Sequence, residues 1–138
     1  MHDDVLINEA ATIERCMVRA REEYFGDPAT FERNFTRQGA AILNIQRACE
    51  AALGMGHHLI ARDRLSGSLC YAGVTLLAQA GRIARPLAEG WQRMVGFRKI
   101  AVHDDQRLLR PITIAAIERQ LGEFLNCSQA LLQHHADV

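Results

Sequence analysis

The chain has 138 residues, of which 49% are apolar and 23% are charged, and its basic and acidic side chains balance to a net charge of zero. This length suits one domain with a single hydrophobic core, and we expect residues 1–138 to form that domain. A neutral chain argues against an avid, nonspecific nucleic-acid binder, because such proteins depend on a large positive charge.

The N-terminus and the cysteines predict a cytoplasmic protein. Asp3 and Asp4 stand where a signal peptide would be basic. No window approaches the roughly 20 apolar residues that a membrane helix needs, so we expect no membrane association. The four cysteines form no C-x-x-C pair, which is typical of reduced, buried thiols. We therefore expect neither a disulfide framework nor a zinc site, and no other metal or cofactor is indicated.

Charge is distributed unevenly along the chain. Residues 1–29 hold seven acidic side chains against three arginines, whereas residues 82–110 hold seven basic side chains against three acidic ones. The basic segment would suit a cleft for RNA, but it would equally suit the acidic segment of a partner or of the same chain.

Apolar residues at alternating spacings of four and three predict a long first helix. They are Leu6, Ala10, Ile13, Met17, Ala20 and Tyr24. The helix should end at Gly26 and Pro28, since glycine terminates helices and proline does not continue them.

A second long helix is predicted from near Thr36, a good N-cap residue, to about Arg62 or Arg64. Its apolar stripe is Ile42, Ile45, Cys49, Ala52, Gly56 and Leu59. Small residues would let another helix approach closely; they are Ala48, Ala51, Ala52, Gly54 and Gly56. Polar residues that we interpret as a structural network lie among them: Asn44, Gln46, Arg47 and Glu50. The adjacent His57 and His58 point about 100° apart on a helix, so we expect two surface or half-buried imidazoles and no metal pair.

The remaining segments also favour helices. Residues 65–68 form a turn cluster, and residues 74–80 suggest a short third helix. A fourth element begins near Pro86 and carries Trp91, which we interpret as a core or dimer-interface anchor. Pro111 opens the last helix, whose stripe is Ile114, Ile117, Leu121, Phe124, Ser128 and Leu131. No segment alternates with the period of a strand, so the sequence predicts an all-α, antiparallel bundle of four main helices plus a short helix.

Arg98 and His103 are the residues best suited to chemistry. Their five-residue separation puts them roughly 140° apart on a continuous helix, whereas a joint helical site uses a spacing of three or four. Either the helix ends between them and the chain folds back, or each residue meets a partner from another chain. The spacing also allows a plain alternative, in which Arg98 is solvated and His103 is a cation near a helix end.

The chemistry of this pair fits phosphodiester cleavage. Imidazole titrates near the pH at which proton transfer operates, and the planar guanidinium matches phosphate oxygens. An RNA cut through its own 2′-hydroxyl needs one base and one acid, whereas each chain supplies one such histidine. A twofold dimer would supply two copies of Arg98 and His103 across one cleft.

Three sequence blocks, in the same order, carry a family resemblance. Residues 94–104 read M-V-G-F-R-K-I-A-V-H-D, residues 35–52 read F-T-R-Q-G-A-A-I-L-N-I-Q-R-A-C-E-A-A, and residues 11–16 read A-T-I-E-R-C. The first block resembles the signature of HepT-type ribonuclease toxins of the HEPN superfamily, in which R-x-x-x-x-H-x-Y follows a helix ending in M-V-G-x-R-N-I-A-V-H. The resemblance extends over nearly the whole chain.

The resemblance implies a HEPN-like helical domain and the toxin of a type VII toxin–antitoxin system. It implies a homodimeric, metal-independent endoribonuclease that uses Arg98 and His103 and leaves 2′,3′-cyclic phosphate ends. It also implies a partner, an MntA-type nucleotidyltransferase antitoxin, which in related systems adenylylates the motif tyrosine and silences the toxin.

Two positions depart from the family pattern. Asp105 stands at the position of the motif tyrosine, and Lys99, the single lysine of the chain, stands at that of the usual asparagine. Adenylylation of a tyrosine cannot occur at position 105, whereas Lys99 and Arg107 could add phosphate contacts. The departures leave open a catalytically weakened HepT-like subunit that acts mainly as the binding partner of a nucleotidyltransferase. An unrelated helical dimer with a structural role is a third hypothesis.

Overall fold

The computed structural model describes the chain in separate ranges, and within them all regular structure is helical. The ranges are residues 4–62, 85–86, 88–93, 114–120, 122, 125–126, 128–129 and 132. Three α-helices are α1 (Asp4–Phe25), α2 (Pro28–Phe31) and α3 (Phe35–Arg62), and Ala116–Gln120 forms a π-helical segment. Residues 88–93 are also helical. The prediction of an all-α fold is confirmed.

Helix α1 buries the predicted stripe except at Tyr24, which is half-buried against the core. Its buried residues are Leu6, Ala10, Ile13, Cys16, Met17 and Ala20. The helix ends where the sequence predicts, at Gly26, whose N–H donates to the carbonyl oxygen of Glu22 at 3.0 Å. A Cβ at position 26 would lie 2.6 Å from that same oxygen, so the turn requires glycine.

The short helix α2 is a feature that the sequence analysis did not predict. Pro28 not only stops α1 but also opens α2. Proline lacks a backbone N–H, and in the first turn of a helix that group would have no hydrogen-bond partner within the helix. The carbonyl of Asp27 accepts the N–H groups of Thr30 and Phe31 at 3.3 and 3.1 Å. Phe31 is completely buried, with its ring edge-on to that of Tyr24 at 5.2 Å between centroids.

Helix α3 begins one residue before the predicted start and ends at the predicted Arg62. Its N-cap is Asn34, whose Oδ1 accepts the N–H of Arg37 at 3.1 Å. The prediction of Thr36 as N-cap is therefore wrong, because Thr36 already lies within the first helical turn. Nearby, the buried Gln38 donates from Nε2 to the carbonyl oxygen of Phe31 at 2.7 Å, which ties α3 to α2.

Helices α1 and α3 pack antiparallel along their length. The predicted stripe of α3 is buried in full, from Ile42 to Leu59. A Cβ on Gly54 would lie 3.3 Å from the carboxyl carbon of Glu9, so the Glu9 side chain of α1 packs against Gly54 of α3. At the other end, a Cβ on Gly26 would lie 3.5 Å from Arg37. Residue numbers thus fall along α3 as they rise along α1.

Residues from the second half of the chain complete the same core. Ala88, Trp91 and Ile117 are buried in one cluster with the residues of α1 and α3. Trp91 is 2% exposed, which confirms its interpretation as a core anchor. Ser128, predicted on the last apolar stripe, is buried and donates from Oγ to the carbonyl oxygen of Leu125 at 2.9 Å.

Other predictions have mixed outcomes. The prediction of a regular last α-helix is wrong between Ala116 and Gln120, where the backbone is π-helical. His57 is exposed and His58 half-buried, as expected. Cys16 and Cys49 are buried and are not disulfide-bonded. The predicted turn at 65–68 and the short helix at 74–80 lie outside the described residues.

Candidate functional site

The residues of the predicted site, including Asp105 at the position of the motif tyrosine, lie outside the part of the chain that the structure describes. They are Arg98, Lys99, His103, Asp105 and Arg107. The nearest described residues are 88–93 before the segment and 114–120 after it. Trp91 and Ile117, one from each range, are both buried in the core formed with α1 and α3. The chain is therefore anchored to one core on both sides of the candidate catalytic segment.

A groove between α1 and α3 has a volume of about 690 Å³. This volume lies within the range of about 300–1,000 Å³ that is usual for ligand sites. We call it the α1–α3 groove. Its polar lining is Thr12, Glu14, Arg15 and Arg19 from α1 and Asn44 and Arg47 from α3, with Ala11, Cys16 and Val18 beside them.

The α1–α3 groove is positively charged. Three arginines and one glutamate line it, although the first 29 residues of the chain are acidic overall. Arg15 donates from a guanidinium nitrogen to Thr12 Oγ1 at 3.5 Å. Within the described residues, neither Arg15 nor Arg47 forms an ion pair with a carboxylate. An exposed, unneutralised pair of guanidinium groups on facing walls favours an anionic ligand.

Cys16 lies in this groove but lacks the properties of a nucleophile. Burial raises the pKa of its thiol, and the charges of Arg47 and then Arg15 oppose that rise without cancelling it. The thiol is therefore protonated at neutral pH, whereas reactive cysteines are thiolates. Cys16 is best understood as part of the core beneath the groove, with 8% of its surface exposed.

A hydrogen bond joins α1 to the π-helical segment across 94 positions of sequence. The Tyr24 hydroxyl donates to Glu118 Oε1 at 2.6 Å. Close by, Arg21 extends over Gly122, where an added Cβ would lie 3.3 Å from a guanidinium nitrogen. These contacts hold the segment that follows the candidate catalytic residues against the end of α1.

Neither membrane insertion nor metal binding is indicated among these residues. None of the helices in the described ranges combines the length and the apolar character needed to cross a bilayer. The same ranges hold no group of three or more His, Cys, Asp or Glu side chains arranged to bind a metal ion.

Comparison with protein families gives a match to "Ribonuclease HepT-like" over residues 13–131. The chain belongs to the HepT-like ribonuclease family. Among curated relatives of this HepT-like chain is the mRNA nuclease HepT of Shewanella oneidensis. The two are 39% identical over 123 residues, which cover 88% of this chain and 92% of the relative.

Solved structures agree with this assignment. The HepT-like chain is similar to a chain in the crystal structure of a toxin–antitoxin with AMP-PNP, with a TM-score of 0.85 and 37% identity over 94% of this chain and 98% of the other. It is also similar to the tri-AMPylated Shewanella oneidensis HEPN toxin in complex with MNT antitoxin. There the TM-score is 0.86 and the identity 36%, over 96% of this chain and 99% of that one. The HEPN-like fold expected from the sequence is thereby confirmed.

The α1–α3 groove is what sequence reasoning missed in this HepT-like chain. Arg15 and Arg47 are 32 positions apart, and the first lies in a segment whose net charge is negative. Arg47 and Asn44 were interpreted as members of a structural polar network. Asn44 does bond its own helix, through Nδ2 to the carbonyl oxygen of Ala40 at 2.8 Å, but both residues also line the groove. Their helical spacing of three was the available signal.

Proposed function

We propose that this HepT-like chain is the ribonuclease toxin of a toxin–antitoxin pair and cuts RNA without a metal ion. The observation that carries the proposal is the Arg98–His103 pair, placed within M-V-G-F-R-K-I-A-V-H-D, in a chain 39% identical to an mRNA nuclease. Family membership over residues 13–131 supports the ribonuclease activity. The neutral total charge is consistent with an enzyme that relies on a local site for RNA.

In the proposed reaction, two protomers contribute one Arg98 and one His103 each to a shared cleft. One imidazole takes the proton of the RNA 2′-hydroxyl while the 2′-oxygen attacks the adjacent phosphorus. The other imidazole protonates the departing 5′-oxygen, and the products are a 2′,3′-cyclic phosphate and a 5′-hydroxyl. Arg98 stabilises the charge on the equatorial phosphate oxygens, and Lys99 and Arg107 bind neighbouring phosphates.

The proposed partner is an MntA-type nucleotidyltransferase antitoxin, and the proposed location is the cytoplasm. The similar solved chains come from toxin–antitoxin complexes, one of them with an AMPylated toxin. Asp105 has no phenolic hydroxyl, so the partner would have to silence this chain by binding it or by modifying a different residue.

Alanine substitutions test the catalytic proposal. His103→Ala and Arg98→Ala should each lower RNA cleavage by at least about 100-fold, the lower bound for loss of a general acid–base group or of a charge-stabilising group, without lowering the melting temperature. Arg33→Ala, an exposed arginine between α2 and α3, is the matched control and should cleave normally. Assays in excess EDTA should retain activity and yield cyclic phosphate ends. Full cleavage by both site variants would refute the assignment.

The departures at Lys99 and Asp105 favour a second candidate function. In it, the chain is a catalytically weakened subunit that serves mainly to bind the nucleotidyltransferase. RNA cleavage and growth arrest by the wild-type protein without its partner distinguish the two candidates. An active ribonuclease toxin cuts RNA and arrests growth, whereas a weakened binding subunit does neither. Recovery of cleavage on Lys99→Asn would assign the weakness to that position.

A further inference from the structure

We propose that the α1–α3 groove binds the sugar–phosphate backbone of single-stranded RNA and so extends the substrate contacts beyond the Arg98–His103 segment. This inference rests on the proposed ribonuclease function, because it names a surface that holds the same substrate. The RNA-binding residues would be Arg15 and Arg47, supported by Arg19 and Asn44.

The arrangement of charge in the groove supports RNA binding. Arg15 belongs to α1 and Arg47 to α3, so the two guanidinium groups line opposite walls of one groove. Both are exposed, and neither is neutralised by a carboxylate within the described ranges. A guanidinium offers a planar pair of donors that matches two phosphate oxygens. Two facing walls of this kind suit a chain of phosphates that runs along the groove.

Arg19 is a third cation that can reorient toward a ligand. Its contacts with Glu22 and Glu23 are long, at 4.0 and 3.9 Å, and the Arg19 side chain is 62% exposed. Exposed ion pairs of this length contribute little, so a phosphate can compete for the guanidinium. The single acidic side chain of the lining, Glu14, leaves the groove with an excess of two positive charges.

The remaining lining favours RNA over a folded protein partner. Asn44 uses Nδ2 to bond Ala40, which leaves its Oδ1 as an acceptor for a 2′-hydroxyl. Val18 is 47% exposed at the groove, and a splayed base can rest on such an apolar surface or on an arginine plane. Protein interfaces are enriched in aromatic residues, which the described lining of the groove lacks.

The test measures RNA affinity and its salt dependence on the full chain. In a His103→Ala background, which prevents cleavage of the probe, we compare Arg15→Gln/Arg47→Gln with the control Arg33→Gln by anisotropy of a fluorescent single-stranded RNA. The double variant should bind about tenfold more weakly, because charge-assisted contacts at exposed sites have moderate strength. The slope of log K against log salt should fall by about 1.4, since each phosphate contact contributes about 0.7 for single strands.

A charge-preserving variant separates binding from folding. Arg15→Lys/Arg47→Lys should restore the salt slope while recovering only part of the affinity, because lysine keeps the charge but not the planar fork. In a background with His103 intact, the glutamine pair should raise KM about tenfold and leave kcat unchanged. An affinity and slope equal to those of Arg33→Gln would overturn the inference.

Two further outcomes distinguish this inference from its alternatives. If the wild type does not cut RNA, the ribonuclease proposal fails, yet the binding assay still decides whether the groove holds RNA. If the glutamine pair instead abolishes the complex with a nucleotidyltransferase and leaves RNA affinity unchanged, the groove is a protein-docking surface and the inference is wrong.

Discussion

Tyr24 and Glu118 are joined by a hydrogen bond of 2.6 Å from the phenolic hydroxyl to Oε1. The bond links the last turn of α1 to the π-helical segment Ala116–Gln120, so that two segments far apart in sequence are held together. π-Helical turns are rare, and one extra residue per turn changes the direction of the side chains that follow. Tyr24 thereby helps to fix the segment downstream of the candidate catalytic residues.

Tyr24→Phe should lower the melting temperature at neutral pH, because the hydroxyl that bonds Glu118 is removed while the ring contact with Phe31 remains. The hydrogen bond to Glu118, more than desolvation of the hydroxyl, raises the pKa of Tyr24. A raised pKa means that the stabilisation is fully present below the ordinary tyrosine pKa of about 10 and is lost as pH rises through the folded-state value.

The measurement is thermal unfolding of the wild type and Tyr24→Phe between pH 7 and the alkaline limit of folding. The gap between the two melting temperatures should be constant up to about pH 10 and should close above it. A gap that widens with alkaline pH would show that the sign of this coupling is wrong.

Gly26→Ala should destabilise the protein by more than about 1 kcal/mol, since alanine is placed where the backbone does not accept it. The added Cβ would lie 2.6 Å from the backbone oxygen of Glu22, and a backbone atom cannot move aside as a flexible side chain can. Denaturant unfolding at fixed pH measures the change.

Gly39→Ala is the matched control for this substitution. Gly39 lies within α3, and nothing lies within 4 Å of the position that its Cβ would occupy. Alanine should therefore stabilise the helix by about 0.5–1 kcal/mol. The free energy of unfolding should therefore fall for Gly26→Ala and rise for Gly39→Ala. Equal destabilisation by the two substitutions would contradict the assignment of Gly26 as a position that requires glycine.

Asn34→Ala should destabilise the protein by about 1 kcal/mol, because the side chain that accepts the N–H of Arg37 is lost at the start of α3. Thr36→Ala should change the stability by less than about 0.5 kcal/mol, as is usual for an exposed residue without a capping role. Chemical unfolding of both variants decides between the two candidate caps, and a larger loss at Thr36 would reverse the assignment.

The sequence was most informative where structure depends on neighbours along the chain. The ends of α1 and α3 follow from Gly26, Pro28 and the capping residues near position 35, and the buried stripes follow from a helical period that any helix imposes. The cap itself was misassigned, since Asn34 and Thr36 are both good capping residues and only the backbone distinguishes them.

The Arg98–His103 pair was identified from the local amino-acid sequence alone, because the family signature lies within one short segment. The α1–α3 groove could not be found in that way. Its two walls come from helices whose register depends on close contacts such as that between Glu9 and Gly54. Only this register places Arg15 opposite Arg47.

By itself, then, the sequence determined the helical class of this HepT-like protein, the limits and apolar faces of its long helices, and the residues proposed for catalysis. Those features depend on hydrogen bonds and periodicities that span only a few residues. The tertiary structure decided the π-helical turn held by Tyr24 and Glu118 and the gathering of arginines from an acidic segment and a distant helix. The physical reason is that packing and Coulomb interactions act through space, whatever the separation along the chain.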